Sequence, residues 1–221
     1  AVRSAGLQDL LNPVLSAHRA TGGRSLHVEQ RPEGAFIVAT EGAWREQVAL
    51  SEVPITRGGR IAFQVENVLA AVAAAWATGL DWDSVRTGLA GFVPDAQSAP
   101  GRFNLMDYRG ATLIADYGHN PDAMRALVQA VEALPAAEGQ RRSVVISGAG
   151  DRRDEDIREQ TRILGAVFDD VILYQDAAQR GRADGEVVAL LREGLSGAAR
   201  TRRVDEIRGE FVAIDLALDR L

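Results

Sequence analysis

The second half of the sequence alternates between short apolar runs and amphipathic helical patterns, and no other feature limits the possible folds as strongly. The strand-like runs lie at residues 113–116, 143–147, 171–174 and 201–204, and the helical patterns at 122–134, 154–168, 184–195 and 205–221. Strands that alternate with helices in this way form parallel sheets covered by helices on both faces. This half is therefore predicted to have an α/β fold with a doubly wound, mostly parallel sheet.

The first half has a different pattern, with several strand-like runs in direct succession. It predicts a helix at 6–20, strands at 25–30, 35–40 and 44–50, and helices at 65–78 and 83–91. Asp81 is a candidate amino-terminal cap for the last of these helices. Residues 93–100 contain two prolines and are the best linker candidate. The sequence thus predicts two domains, at 1–98 and 99–221.

Composition excludes several classes of function. All 25 basic residues are arginine, so the chain has no phosphate-binding loop of the kind that ends in Gly-Lys-Ser/Thr. The absence of cysteine excludes disulfides and thiolate metal sites and agrees with a cytoplasmic location. A net charge of -6 argues against a nucleic-acid partner, and no apolar run of about 18 residues could span a membrane. Neither end of the sequence resembles a natural terminus, so we expect a fragment of a longer protein.

Polar clusters follow three of the predicted strands, at residues 116–122, 148–154 and 176–182. Because the carboxyl ends of parallel strands meet at one edge of a sheet, these clusters are expected to face the same crevice. Asp116 can hydrogen-bond ribose hydroxyls there, and His119 can donate to a phosphate. Gly148 and Gly150 permit close backbone approach, and the helix after them offers its amino end to an anion.

The neighbouring arginines can clamp a carboxylate or a phosphate with two hydrogen bonds each. They are Arg152, Arg153, Arg180 and Arg182. The alternatives are structural: an Asp after a strand is as often a helix cap, a Gly-x-Gly is more often a tight turn, and arginine-rich loops are usually solvated. Spacing alone leaves these alternatives open.

The order of the motifs is more specific than any one of them. The sequence contains, in succession, Gly101-Arg102-Phe103-Asn104, Asp116-Tyr117-Gly118-His119-Asn120-Pro121, Gly148-Ala149-Gly150-Asp151-Arg152-Arg153-Asp154, and Arg180-Gly181-Arg182 with Gly185-Glu186. This succession resembles the carboxyl-terminal part of the cyanophycin synthetases and, more loosely, the Mur ligases of peptidoglycan synthesis and the folylpolyglutamate synthases. Pro54-Ile55-Thr56 and Gly58-Gly59, followed by Asn67 and an alanine-rich helix, resemble the end of the central domain of these ligases.

The resemblance, which covers nearly the whole chain from about Leu7, implies a fold and an activity. It implies a Rossmann-like Mur ligase carboxyl-terminal domain at 99–221, preceded by a remnant of the central ATP-binding domain at 1–98. Ligases of this family use ATP to convert a carboxylate into an acyl phosphate, and an amine then displaces the phosphate. In the cyanophycin branch the amine belongs to arginine, and the carboxylate is the β-carboxyl of a poly-aspartate backbone.

The resemblance also implies which parts are missing. The family's phosphate-binding loop, Mg²⁺ ligands and modified lysine all belong to the amino-terminal part of the central domain. The fragment is therefore expected to hold no catalytic residue and no metal ligand, and to be inactive alone. The sequence leaves a homo-oligomer open.

Carried over position by position, the family's motifs assign two sets of binding residues. The nucleotide contacts are Asn67, Arg102 at the phosphates, Asp116 at the ribose, His119 and Asn120. The contacts to the incoming amino acid are Asp151, Arg152, Asp154, Asp176, Arg180 and Arg182. Arg180 would hold the carboxylate of the amino acid, and acidic residues would pair with its guanidinium. The alternative for Asp151 and Asp154 is that they cap the following helix.

Two positions depart from the family pattern. Gly118 replaces the usual alanine, and Asp176-Ala177-Ala178 is less acidic than the corresponding run in cyanophycin synthetases. The second departure supports an alternative hypothesis, a degenerate Mur-like module with a binding or assembly role and no catalysis. A third hypothesis is an unrelated nucleotide-binding α/β domain.

Overall fold

A computed structural model gives the structure of residues 5–137 and 139–221, with side chains described from residue 13 onward. The chain divides into two compact units, Ala1–Pro94 and Asp95–Leu221, and the division lies inside the predicted linker. The helices are α1 (Ala5–Ala20), α2 (Ala62–Ala77), α3 (Trp82–Gly91), α4 (Pro121–Ala133), α5 (Asp154–Leu164), α6 (Glu186–Gly194) and α7 (Glu210–Leu218). The strands are β1 (Ser25–Arg31), β2 (Gly34–Glu41), β3 (Trp44–Ala49), β4 (Asn104–Tyr108), β5 (Ala111–Ala115), β6 (Ser143–Ile146), β7 (Asp170–Gln175) and β8 (Arg203–Arg208).

The first unit is an antiparallel sheet with α2 and α3 packed against its apolar face. The strands have the order β1-β2-β3, and β2 pairs with both neighbours through tight hairpins. Alternate residues of β2 and β3 point into a core that also contains Val65, Val68 and Val72 of α2. Helix α3 begins where predicted, because the Asp81 carboxylate accepts a hydrogen bond from the Ser84 N–H at 2.9 Å.

The second unit contains the predicted parallel sheet, in the order β6-β7-β8. Helices α4, α5 and α6 share a core with Val171 and Leu173 of β7. Ile172 lies between these two residues, so its side chain points to the opposite face, and it too is fully buried. Helix α7 contacts all three strands and covers that second face. The sheet is therefore covered on both faces, which confirms the doubly wound α/β fold.

The structure corrects two details of the sequence-based prediction. Strand β4 was not predicted, and it pairs with β5 in an antiparallel hairpin separate from the parallel sheet. The last helix was predicted to begin at Asp205, but Asp205 lies in β8, which continues to Arg208 opposite Gln175. Backbone pairing with β7 outweighs the helix-start signal of Asp205. Helix α7 begins only after Gly209, whose φ is 89°.

Within the part of the chain that the structure describes, no helix is long and apolar enough to cross a membrane.

Candidate functional site

Three loops of the second unit meet beyond the strand ends. We name them the first loop (116–120, after β5), the second loop (147–153, after β6) and the third loop (176–185, after β7). The second and third loops touch directly, since an added Cβ on Gly150 would lie 2.2 Å from the Gln179 carbonyl oxygen. Only glycine permits this approach. The Tyr117 hydroxyl of the first loop lies beside the Arg180 guanidinium of the third. The clusters predicted to share a crevice are thus neighbours, although β5 belongs to the separate hairpin.

Asp116 organises the first loop. Its carboxylate accepts hydrogen bonds from the Phe103 N–H at 3.0 Å and from the Gly118 N–H at 2.8 Å. The first bond ties the Gly-Arg-Phe-Asn motif to this loop and holds Phe103 in the left-handed region, with φ of 53°. At position 118 an added Cβ would lie 2.8 Å from the Asp116 Oδ1, so an alanine there would require this carboxylate to shift.

Tyr117 is the functional candidate that sequence reasoning missed. Its side chain is exposed, with 63% of its surface accessible. The Arg102 guanidinium carbon lies 5.9 Å from the ring centre, and the His119 ring meets it edge-on at 5.4 Å. An exposed aromatic ring beside cationic side chains suits a planar or anionic ligand. The available signal was an aromatic residue within a polar loop that follows a strand.

The remaining predicted nucleotide contacts have local structural roles. Asn120 is the amino-terminal cap of α4, because its Oδ1 accepts from the Ala123 N–H at 2.9 Å. His119 Nδ1 is 3.1 Å from the Tyr117 carbonyl oxygen. Asn67 lies in the first unit, on α2, where its amide donates to Gln64 Oε1 at 3.1 Å.

The second loop carries exposed charges but no side-chain cap. The amino-terminal cap position of α5 is Arg153, whose side chain makes no capping hydrogen bond. Asp154 is the first helical residue and forms an ion pair with Arg182 at 2.8 Å. The structural alternative for Asp151 and Asp154, that they cap this helix, is therefore wrong. Arg152 is exposed, and its carbonyl oxygen accepts a hydrogen bond from Arg182.

Asp151 forms an exposed ion pair with the third loop. Its Oδ1 lies 3.2 Å from Arg180 Nη1, and both side chains are about half exposed. Its own backbone N–H first, and then the Arg180 guanidinium, hold the pKa of Asp151 below its ordinary value, against an opposing effect of desolvation. The same pair, together with the Tyr117 hydroxyl, raises the pKa of Arg180. Both groups are charged at neutral pH and accessible to a ligand.

The third loop places its two arginines differently. Arg180 and Gly181 are consecutive left-handed residues, with φ of 51° and 90°. Arg180 remains exposed, whereas only 15% of the Arg182 side chain is accessible. Asp176, at the start of the loop, is exposed and accepts from the Ala178 N–H at 2.8 Å, which makes it part of a local turn.

A more acidic concavity lies beside the first loop. It has a volume of about 550 Å³ and is lined by Asn120, Pro121, Asp122, Arg125, Glu155, Asp156 and Glu159. Its carboxylates are already engaged by arginines: Arg125 contacts Asp122 at 2.8 Å and Glu159 at 2.9 Å. Among residues 13–137 and 139–221, no group of three or more His, Asp or Glu side chains could hold a metal ion. The described residues therefore form no metal site from protein side chains alone.

Comparisons with known proteins show the family to which the chain belongs. Residues 101–221 match the family described as Mur ligase, glutamate ligase domain. The chain is 35% identical over 212 residues to a cyanophycin synthetase of Synechocystis sp., a match that covers 95% of this chain and 23% of that protein. It is 29% identical over 135 residues to the UDP-N-acetylmuramoyl-L-alanyl-D-glutamate–2,6-diaminopimelate ligase of Geobacillus kaustophilus, with 61% of this chain and 26% of that protein covered.

The solved structures support the fold. A Mycobacterium tuberculosis folylpolyglutamate synthase complexed with ADP and AMPPCP matches with a TM-score of 0.61 at 23% identity, covering 88% of this chain and 40% of that chain. The chain spans about a quarter of the length of the cyanophycin synthetases that it matches.

Proposed function

Since this chain belongs to the Mur ligase family through residues 101–221, we propose that it forms the carboxyl-terminal part of an ATP-dependent amide ligase. The complete ligase attaches arginine, through its α-amino group, to the β-carboxyl groups of a poly-aspartate backbone. Residues 1–98 are then a remnant of the central ATP-binding domain, and the fragment alone is inactive. The sequence identity of 35% to a cyanophycin synthetase, over 95% of the chain, supports this choice of substrates.

The observation that carries the proposal is the exposed Asp151–Arg180 ion pair within the family-matched domain. Arginine carries an α-carboxylate and a guanidinium, so it can replace both halves of this pair. The carboxylate of the substrate arginine pairs with Arg180, and its guanidinium pairs with Asp151. Because an exposed ion pair contributes little to stability, exchanging it for a ligand costs little. The proposed amino-acid site is also lined by the charged residues Asp154, Arg152 and Asp176.

The nucleotide side of the site lies around Tyr117. Arg102 approaches the phosphates, Asp116 the ribose, and His119 and Asn120 line the cleft. Asn67, which lies in the first unit, stays a predicted contact to the adenine. If His119 Nδ1 donates to the Tyr117 carbonyl oxygen, the neutral ring leaves Nε2 as an acceptor. In that tautomer the nitrogen that donates is Nδ1, and it is directed to the backbone.

The proposed reaction has two steps. A β-carboxylate oxygen of the acceptor attacks the γ-phosphorus of ATP, ADP leaves, and an acyl phosphate forms. The α-amino nitrogen of arginine then attacks the acyl carbon, phosphate leaves, and the nitrogen loses a proton as the amide forms. In this chain, Arg180 and Asp151 hold the amino acid so that its amine faces the acyl carbon. Since the described residues form no metal site from protein side chains alone, the binding of Mg²⁺ is assigned to the rest of the ligase.

The test is ATP hydrolysis by the full-length protein, measured with and without arginine and a poly-aspartate primer. We expect hydrolysis that requires both, with lysine and ornithine as controls. Turnover with a different amino acid would support the ligase activity but contradict the choice of arginine as the substrate. A folded protein that hydrolyses no ATP with any amino acid would refute the proposal and favour the non-catalytic module.

A further inference from the structure

The Arg-Gly-Arg segment of the third loop contains two guanidinium groups in different surroundings. About half of the Arg180 side chain is exposed, at 49%, and it meets Asp151. The Arg182 side chain is only 15% exposed and points back into the protein. Arg180 and Arg182, although separated by a single glycine, therefore have different roles.

Arg182 connects the second loop to the helices on both sides of the crevice. Its Nε donates to the Gly150 carbonyl oxygen at 2.7 Å, and its Nη2 donates to the Arg152 carbonyl oxygen at 2.6 Å. Its Nη1 contacts Asp154 at 2.8 Å and Glu186 at 2.7 Å. Four acceptors thus surround one planar guanidinium, a geometry that the single ammonium of lysine cannot reproduce.

The two carbonyl groups that Arg182 holds belong to the residues immediately before and after Asp151. The backbone on both sides of Asp151 is therefore fixed, and its carboxylate is left to meet Arg180. The two carboxylates at the other end of the guanidinium belong to the first turns of α5 and α6. The close approach of Gly150 to Gln179 prevents the second loop from moving toward the third.

We propose that Arg182 is a positioning residue, which sets the Asp151–Arg180 geometry for the incoming amino acid without contacting that amino acid. The proposal rests on the proposed function, and it reassigns Arg182 from the predicted substrate contacts to the support of the loop. Losing Arg182 should therefore weaken use of the amino acid selectively, because the nucleotide side around Tyr117 has its own supports in Asp116 and Gly101.

The first experiment compares steady-state kinetics of the full-length ligase with those of its Arg182→Ala and Arg182→Lys variants. Arg192→Ala is the matched control, since Arg192 forms an exposed ion pair with Glu206 on another side of α6. We expect the KM for arginine to rise about tenfold to a hundredfold in both Arg182 variants, as misplacement of a binding group does, while the KM for ATP stays within twofold. Methylguanidinium should restore part of the loss in Arg182→Ala. Equal rises in both KM values, or no difference from Arg192→Ala, would overturn the proposal.

The second experiment needs no ligase activity, so it separates this proposal from the proposed function. Amide hydrogen exchange is measured in the 221-residue chain for residues 148–153. Arg182→Ala should accelerate exchange there, methylguanidinium should slow it again, and Arg192→Ala should leave it unchanged. Exchange that is the same in Arg182→Ala and the wild type would show that Arg182 does not hold the loop, whatever the parent protein catalyses.

Discussion

The two ends of the parallel sheet carry the same residue types, Asp and Arg, in opposite surroundings. At the amino end of β7, Asp169 and Asp170 are buried; Asp169 pairs with Arg200 at 2.9 Å and Asp170 with Arg141 at 2.8 Å. At the carboxyl ends, the Asp151–Arg180 pair is about half exposed. The buried pairs at Asp169 and Asp170 stabilise the fold, whereas the exposed Asp151–Arg180 pair can be replaced by contacts to a ligand. Composition does not separate these roles, whereas burial and backbone partners do.

Backbone partners make the contrast sharper. The Asp169 carboxylate also accepts from the Arg142 N–H at 2.9 Å, and Arg200 first, then this N–H, hold the pKa of Asp169 below its ordinary value against burial. A carboxylate in this position joins the start of β6 to the start of β7. At the other end, the Asp151 carboxylate contacts the third loop through its ion pair with Arg180.

The largest effect on stability is expected from Asp169→Ala. Removing this buried carboxylate leaves the Arg142 N–H without its acceptor and the Arg200 guanidinium with the more distant Gln140 carbonyl oxygen at 3.4 Å, which should lower the free energy of unfolding by about 3 kcal/mol. Urea unfolding of the chain measures this loss. The exposed Asp107→Ala is the control and should change little. A loss of stability for Asp169→Ala no greater than for the control would contradict the stabilising role assigned to the buried ion pairs at the amino end of the sheet.

The next effect is a pH dependence of stability at the same residue. Because the pKa of Asp169 is lowered in the folded state, its contribution is fully present above its ordinary value of 3.8 and is lost as pH falls below it. Asp169→Asn should therefore cost about 1–2 kcal/mol at neutral pH, where it replaces a charged acceptor. The gap between wild type and variant should narrow below pH 3.8. A gap that does not change with pH would contradict the assigned ion pair.

A smaller effect is expected at Asn120, which is both a helix cap and a predicted nucleotide contact. Asn120→Ala should cost about 1 kcal/mol of stability, and Asn120→Asp should keep the cap. Asp81→Ala, which removes the cap of α3, is the matched variant with no predicted ligand. If Asn120 lines the nucleotide cleft, its alanine variant also raises the KM for ATP in the full-length ligase. A stability loss with unchanged ATP kinetics would leave Asn120 as a cap only.

The smallest effect on stability is expected from Asp151→Asn. The exposed pair with Arg180 contributes little, so thermal unfolding of the chain should be unchanged within error. The KM for arginine in the full-length ligase should nevertheless rise several-fold, because one charge opposite the substrate guanidinium is lost. A clear drop in the unfolding temperature with no change in the KM for arginine would show that the Asp151–Arg180 pair stabilises the fold and does not bind the substrate.

Hydrophobic periodicity was sufficient to predict most helices and strands, together with the doubly wound sheet. It missed β4, because the run Asn-Leu-Met-Asp-Tyr lacks a continuous apolar pattern, and β4 is defined by its pairing with β5. It placed the start of the last helix too early, since Asp205 and Glu206 resemble a helix start but lie on β8 opposite Ile172 and Leu173.

The candidate site could be predicted only in part from the sequence. The motifs located the three loops, but Arg180 and Arg182 are indistinguishable in the segment Arg-Gly-Arg. Their roles diverge because successive left-handed residues turn one guanidinium outward while the other meets carbonyl groups from residues about 30 positions earlier. Tyr117 was overlooked because its neighbours, Arg102 and Arg180, come from distant parts of the chain.

The most direct test of the central claim is a crystal structure of the full-length protein with arginine and a non-hydrolysable ATP analogue. The account predicts that the α-carboxylate of arginine lies within hydrogen-bonding distance of Arg180, that its guanidinium meets Asp151, and that Arg182 keeps its contacts to the second loop. Arginine bound elsewhere, with the Asp151–Arg180 pair intact, would contradict the account.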